Sequence, residues 1–313
     1  MKFWTNKRVA VTGGNGFLGR YVIDQLNEVG CLPSDIFVPG YDLRNSLNVG
    51  KMYFDFRPDI VIHLAASVGG LGANIENPGS FFYDNVKMGI ELMETGRRWG
   101  LKKFVQMGSA CSYPKNTPAP FKESDLWNGY PEESNAAYGI AKKAMLTMGQ
   151  AYRQQYGMNV IHLLSTNIYG PGDNFTPTSS HVIPALIRRC LEAKREGRPS
   201  LLVWGAGDAT RDFLYAKDAA RAVVLATERY NDAAPVNLGS GREVSIHELA
   251  TKIAMLTGFE GTLIWDKTKP DGQPHRVLDT RLAWQLFGFE SDILLEHGLV
   301  ETIKWYQRSL LER

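Results

Sequence analysis

Short runs of β-branched and aliphatic residues alternate along the chain with longer stretches whose apolar positions recur every three or four residues. The first pattern suits a strand buried on both faces and the second a helix buried on one, so their alternation predicts parallel βα units. Strands are predicted over 9–11, 36–38, 59–64, 103–107 and 160–164, with helices over 81–98 and 137–156. A helix directly after the opening strand would turn Phe17, Leu18, Tyr21, Val22 and Leu26 inward. Beyond the turn Tyr169-Gly170-Pro171-Gly172 the rhythm loosens, with helices near 183–195, 217–229, 245–257 and 295–311 and a strand near 201–204. The expected fold is α/β: a doubly wound parallel sheet of the Rossmann kind over 1–170, also receiving roughly 214–245. A smaller C-terminal substrate-binding domain is expected mainly over 171–313.

Composition narrows the function classes. With 313 residues, 44% of them hydrophobic, there is ample chain to bury a core. A formal charge of +2, with Lys and Arg scattered among Asp and Glu, gives no reason to expect a nucleic-acid or membrane partner. Cys31, Cys111 and Cys190 lie far apart and form no CxxC pair, and the histidines show no HxxxH spacing, so no metal site is expected. The apolar run 9–11 is too short for a signal-peptide core, and no stretch approaches the ~18 residues of a membrane span. The expected location is the cytoplasm.

Thr12-Gly13-Gly14-Asn15-Gly16-Phe17-Leu18-Gly19 falls between a strand and a helix, with Gly13, Gly16 and Gly19 in G-x-x-G-x-x-G spacing. Glycine serves where the chain turns tightly, where backbone meets a pyrophosphate and where helix packs on strand. The following helix start offers free N–H groups to phosphates. No Gly-Lys-Ser/Thr follows, so this is a dinucleotide loop and not a Walker loop. After the second strand, Asp42 could bind a ribose and favour NAD(H), or Arg44 could meet a 2′-phosphate and favour NADP(H). These residues leave both open.

Tyr138-Gly139-Ile140-Ala141-Lys142 sets a phenol and an ammonium four apart on one helix face. A free tyrosine titrates near ~10, and a neighbouring Lys⁺, helped by a nicotinamide's charge, is expected to lower that value. Ser109, just after the fourth strand, completes a candidate proton-transfer group.

The GGNGFLG loop, the segment 59–66, Ser109 and the Tyr138/Lys142 pair resemble the extended short-chain dehydrogenase/reductases. Further segments are most similar to the GDP-L-fucose synthase family, which carries out 3,5-epimerisation and 4-reduction of a GDP-4-keto-6-deoxy-D-mannose. They are Val68-Gly69-Gly70 with Ala73-Asn74, Gly108 to Lys115, Asn167 to Pro171, Ser180 to Leu186, Trp204-Gly205, Arg211 to Leu214 and Lys269 to Gly272. The resemblance implies Cys111 as the base at C3 and C5, His181 as the acid on the opposite face, Ser109 or Tyr138 as enolate support, and Tyr138 as the proton donor in reduction. It implies NADP(H), held by the glycine loop with Met107, Gly108, Lys142, Ser165, Asn167, Ile168 and His181. Asn167, Arg189, Trp204, Arg211 and Asp271 would contact the GDP-sugar, the two arginines at the diphosphate. Ala110 stands where the family often has a second serine.

Plainer readings stand beside these. Cys111 could be a small buried filler, His181 a helix-start residue, and His63 a strand-end residue near the cofactor. The whole chain could act on another 4-keto GDP-sugar, such as a heptose or dideoxy sugar, or be a non-catalytic dinucleotide sensor. By analogy with the superfamily, two chains would pair through the helices near 81–98 and 137–156.

Overall fold

The computed structural model describes residues 3–269 and 272–311. Six parallel strands form the central sheet, in the order Pro235–Leu238, Val160–Ser165, Lys103–Ser109, Ile60–His63, Val9–Thr12, Ile36–Phe37. Each of the four middle strands is almost wholly buried, as strands covered on both faces must be.

Alternate residues divide between two cores. One face contributes Val9, Val11, Ile60, Ile62, Val105, Met107, Ile161 and Leu163, packed under helices Phe17–Glu28 and Ala216–Arg229. The other contributes Ala10, Val61, Phe104 and Val160, under helices Ser46–Phe56, Pro78–Arg98 and Ala136–Tyr156. Of the predicted inward face of the first helix, Val22 and Leu26 are fully buried, Leu18 and Tyr21 pack partly against the core, and Phe17 meets Tyr21 edge-on. Gly157, at φ 67°, ends helix Ala136–Tyr156, and the Ser245 side chain caps Ile246–Thr257 by accepting from the Glu248 N–H at 3.0 Å.

A third cluster joins Tyr169 and helices Val182–Arg195, Ile246–Thr257 and Leu295–Leu311 to the parallel pair Ser200–Trp204 and Thr262–Asp266. Among the described residues no helix is long and apolar enough to cross a membrane.

Several elements differ from expectation. The strand at 36–38 shortens to Ile36–Phe37, because Pro39 has no N–H to continue the ladder. The strand at 103–107 runs on to Ser109 and so delivers that residue to the sheet's C-terminal edge. Helices Ser46–Phe56, Leu71–Glu76 and Arg281–Phe287 and strands Pro235–Leu238 and Thr262–Asp266 were not anticipated.

Candidate active site

The site is built along the C-terminal edge of the sheet, where open α/β folds bind ligands. At the first strand, Gly13 takes φ 72°, and a side chain there would meet the Ala65 backbone at 2.8 Å. A Cβ on Gly19 would lie 2.1 Å from the Gly13 carbonyl oxygen, so the loop closes on its own helix with no room for a side chain. The helix start has Gly16 at its N-cap with no side-chain cap, leaving its first N–H groups to a ligand. Asn15 and Gly16 are exposed, and Phe17 and Leu18 half-buried. This cradle fits a dinucleotide pyrophosphate.

Asp42 and Arg44 turn out to be partners rather than alternatives. Arg44 forks the Asp42 carboxylate at 2.8–3.1 Å and reaches Asp84 at 2.9 Å, and that guanidinium lowers the Asp42 carboxyl to about 2. Met107 buries its side chain in the core on the far face of the sheet, so its backbone alone can face a cofactor. Ser165 Oγ donates to the Gly108 carbonyl at 3.3 Å, Asn167 Nδ2 donates to the Asp212 carbonyl at 3.1 Å, and Ile168 packs on the core. His63 is buried and bonded to Thr12 Oγ1 at 2.7 Å.

The structure brings Ser109, Cys111, Tyr138 and Lys142 together. Ser109 caps the tight turn Ala110–Ser112, its Oγ accepting from the Cys111 N–H at 3.2 Å. Helix Ala136–Tyr156 starts directly on that turn: a Cβ on Gly139 would lie 2.3 Å from the Cys111 carbonyl oxygen, and Ser112 Oγ donates to the Gly139 carbonyl at 3.1 Å. Tyr138 is held beside Cys111 by this docking, and Lys142 Nζ lies 5.5 Å from the Tyr138 ring centroid.

The electrostatics correct one expectation. Burial pushes the Tyr138 phenol above its usual range, with Cys111 adding to the rise, so the chain by itself does not lower it. Desolvation acts on Lys142 as well, pushing the ammonium down to about 8. Cys31 and Cys190 are buried thiols pushed up to about 11, whereas Cys111 is partly exposed and not simply a core filler.

His181 stands at the N-cap of Val182–Arg195 but makes no cap bond, so its ring is not spent on the helix start. It is solvent-exposed, though crowding by protein lowers its pKa. Its loop is joined to the Tyr138 side through the Gly70 N–H, which donates to Ser179 O at 3.1 Å, and helix Leu71–Glu76. An open pocket of about 280 Å³ is lined by Asn74, Ile75, Ser134, Asn135 and Tyr138, among others. No hydrogen bond among the described residues links His181 to Cys111 or Tyr138.

Among the described residues no hydrogen bond links Arg189, Trp204 or Arg211 to Ser109, Cys111, Tyr138 or Lys142, although Arg211 and Arg276 both bond Gln273. Arg189 is half-buried, two turns beyond His181, and donates to the Leu202 carbonyl. Trp204 is 53% exposed with Lys269 Nζ 5.5 Å from its centroid. Arg211 Nη1 donates to the Thr210 and Gln273 carbonyls at 2.6 and 2.7 Å. Asp271 lies outside the described residues. Among those residues no group of three or more His, Cys, Asp or Glu could hold a metal.

The family model described as the NAD dependent epimerase/dehydratase family matches residues 9–239. A probable GDP-L-fucose synthase 1 of Oryza sativa subsp. japonica is 38% identical over 308 residues, 97% of this chain and 93% of the relative. The chain belongs to the GDP-L-fucose synthase family. Two solved structures share its fold closely. A GDP-L-fucose synthetase from Naegleria fowleri, bound to NADP, has a TM-score of 0.87 at 28% identity over 98% of this chain and 95% of that one. A GDP-6-OMe-4-keto-L-xylo-heptose reductase from C. jejuni has a TM-score of 0.90 at 26% identity over 97% and 99%.

One residue of this GDP-L-fucose synthase family site escaped sequence reasoning. Arg276 is 7% exposed, donates from Nε to Gln273 Oε1 at 3.1 Å and directs Nη1 at Cys111 Sγ, 3.5 Å away. The guanidinium thereby forms one wall of the space around the thiol. Its sequence signal was weak: it follows the matched segment Lys269 to Gly272 by four residues but sits 165 residues from its partner.

Proposed function

We propose that this protein converts GDP-4-keto-6-deoxy-D-mannose to GDP-L-fucose, epimerising C3 and C5 and reducing C4 with NADP(H). The observation that carries the reading is the docking of the Tyr138 helix on the Cys111 turn, which sets an acid and a thiol base side by side. Cys111 Sγ takes the protons from C3 and C5, with the Arg276 guanidinium beside it. His181 returns a proton from the opposite wall. Ser109 Oγ, which accepts from the Cys111 N–H, would donate its own proton in a hydrogen bond to the enolate oxygen. Tyr138, held protonated by burial, gives its proton to the C4 oxygen, and Lys142⁺ stabilises the phenolate that remains. NADPH supplies the hydride.

The glycine loop would hold the pyrophosphate, and Arg44, once turned from Asp42, the 2′-phosphate. Asn167, Arg189, Trp204, Arg211 and Asp271 are assigned to the GDP-sugar. In this assignment residues 1–170 with roughly 214–245 hold the dinucleotide and 171–313 mainly the sugar nucleotide. The protein would be cytoplasmic and would pair as a homodimer through helices Pro78–Arg98 and Ala136–Tyr156. Phe82, Tyr83 and Ile90 on the first and Tyr156 on the second are exposed, which suits such a contact.

The test is an assay with GDP-4-keto-6-deoxy-D-mannose and NADPH or NADH in heavy water, with the product read by NMR. GDP-L-fucose carrying deuterium at C3 and C5 is expected. Cofactor oxidation to an unepimerised sugar would leave a plain reductase, the chemistry named for the C. jejuni neighbour.

A further inference from the structure

The turn that carries Cys111 is fixed through its backbone, by Ser109 Oγ at the Cys111 N–H and by helix Ala136–Tyr156 at the Cys111 carbonyl. Neither contact fixes the sulfur, which can rotate about Cα–Cβ among three staggered wells. The donor that meets Sγ is Arg276 Nη1, 3.5 Å away and within reach of a hydrogen bond to sulfur.

Arg276 is aimed in turn by Gln273. That residue is 3% exposed, and its amide is used at both ends. Oε1 accepts from Arg276 Nε at 3.1 Å, while Nε2 donates to the Lys115 carbonyl at 2.9 Å and the Pro114 carbonyl at 3.3 Å. The orientation of the amide is forced, because a guanidinium offers only donors and a backbone carbonyl only acceptors. One buried amide therefore joins the guanidinium at the thiol to the stretch of chain just past that thiol.

The backbone around Gln273 is held by other groups. The Thr210 and Asp212 N–H groups donate to the Pro274 and Arg276 carbonyls at 2.8 and 2.9 Å, and the Phe121 N–H donates to Val277 O at 2.8 Å. Arg211 Nη1 donates to the Gln273 carbonyl, not to its side chain, at 2.7 Å. Replacing the side chain thus removes the amide bridge and leaves the segment and the Arg211 contact in place.

We propose that Gln273 is a positioning residue for Cys111: it holds the Arg276 guanidinium against Sγ and so fixes the rotamer from which the sulfur reaches the substrate. The inference rests on Cys111 being the base at C3 and C5. Its role is geometric. Proton abstraction needs sulfur and carbon aligned, and a misplacement of about 1 Å can cost roughly 10²-fold in rate.

The experiment compares wild type, Gln273→Met, Arg276→Met and the double variant, methionine matching glutamine in length without the amide. Two rates are read in each. One is C3/C5 deuterium exchange in GDP-4-keto-6-deoxy-D-mannose with NADP⁺ bound, followed by NMR. The other is alkylation of Cys111 by iodoacetamide without substrate, followed by mass spectrometry. Gln273→Met should lower the maximal exchange rate about tenfold. Half-saturation should hold, since Arg211 keeps its carbonyl. Alkylation should rise about threefold, because a released guanidinium no longer walls the thiol. The double variant should match Arg276→Met, since Gln273 acts through the arginine. Losses that multiply, a shift in half-saturation alone, or alkylation unmoved in Gln273→Met overturns the proposal. If Gln273→Met does not fold, Arg276→Lys, which keeps the charge but not the fork, must slow exchange at least about threefold, and unchanged exchange overturns it. Wild-type enzyme that does not exchange would instead overturn the functional reading beneath, and the alkylation rates then decide the positioning alone.

Discussion

The Cys111–Tyr138 centre and the Trp204–Arg189 surface, which we propose serve one substrate, are built by opposite means. At the first, a hydroxyl, a thiol, a phenol and an ammonium are locked by backbone contacts so close that Gly139 admits no side chain. Tyr138 and Lys142 are almost wholly buried, and desolvation shifts both. At the second, an indole lies open to solvent and Arg189 is turned onto a strand carbonyl of its own chain. Groups that move protons must be placed and tuned before substrate arrives. Groups that merely hold a base or a phosphate can be adjusted by the ligand, at a cost in affinity alone.

The contrast can be broken from either side. Tyr138→Phe should cut reduction about 10³-fold while cofactor affinity holds, since a positioned acid contributes roughly 10²–10⁴. Near-normal turnover would remove Tyr138 from its role. Cys111→Ser should slow deuterium entry at C3 and C5 about 10²-fold, because a hydroxyl is a far weaker base at neutral pH, and unchanged exchange by NMR would acquit the thiol. Reduction should fall as pH rises through about 8, where Lys142 loses the charge that supports the phenolate. From pH 8 to 9.5 the loss is roughly 16-fold, and a flat profile would show the ammonium is not needed. Stability takes the other sign: the unfolded chain binds this proton more tightly between about 8 and 10.5, so the Lys142 contribution to stability rises with pH across that window. Smallest is Trp204→Ala, which should raise KM about tenfold by loss of a stacking surface, with kcat and thermal midpoint unchanged. A fall in kcat there would mean the platform also positions the sugar.

The elements readable in the chain were those with strong periodicity. The four middle strands carry runs of Val, Ile and Leu that only a doubly covered sheet can bury. Pro235–Leu238 escaped because it is four residues long, opens on proline and contains Asn237. That asparagine is satisfied by Phe121 and Asp279 carbonyls far away in sequence. Helix Ser46–Phe56 carries Gly50 and several polar residues on a short amphipathic face. In the site, the glycine loop and Tyr138/Lys142 were legible because their spacing is local. The Arg276–Cys111 contact and the Gln273 bridge are not, since each depends on which segments lie side by side in space.

The docking of helix Ala136–Tyr156 also bears on how such a site can change over generations. The contact is made by the Cys111 backbone carbonyl and by Ser112, and the thiol takes no part in it. The sulfur is therefore replaceable without disturbing the scaffold that aims the phenol. If the proposed roles hold, one substitution at position 111 would separate a two-reaction catalyst from a one-reaction catalyst, whereas a side chain at position 139 would damage both. The proposed base would then be the freely evolvable half of this pair and the proposed acid the inherited half.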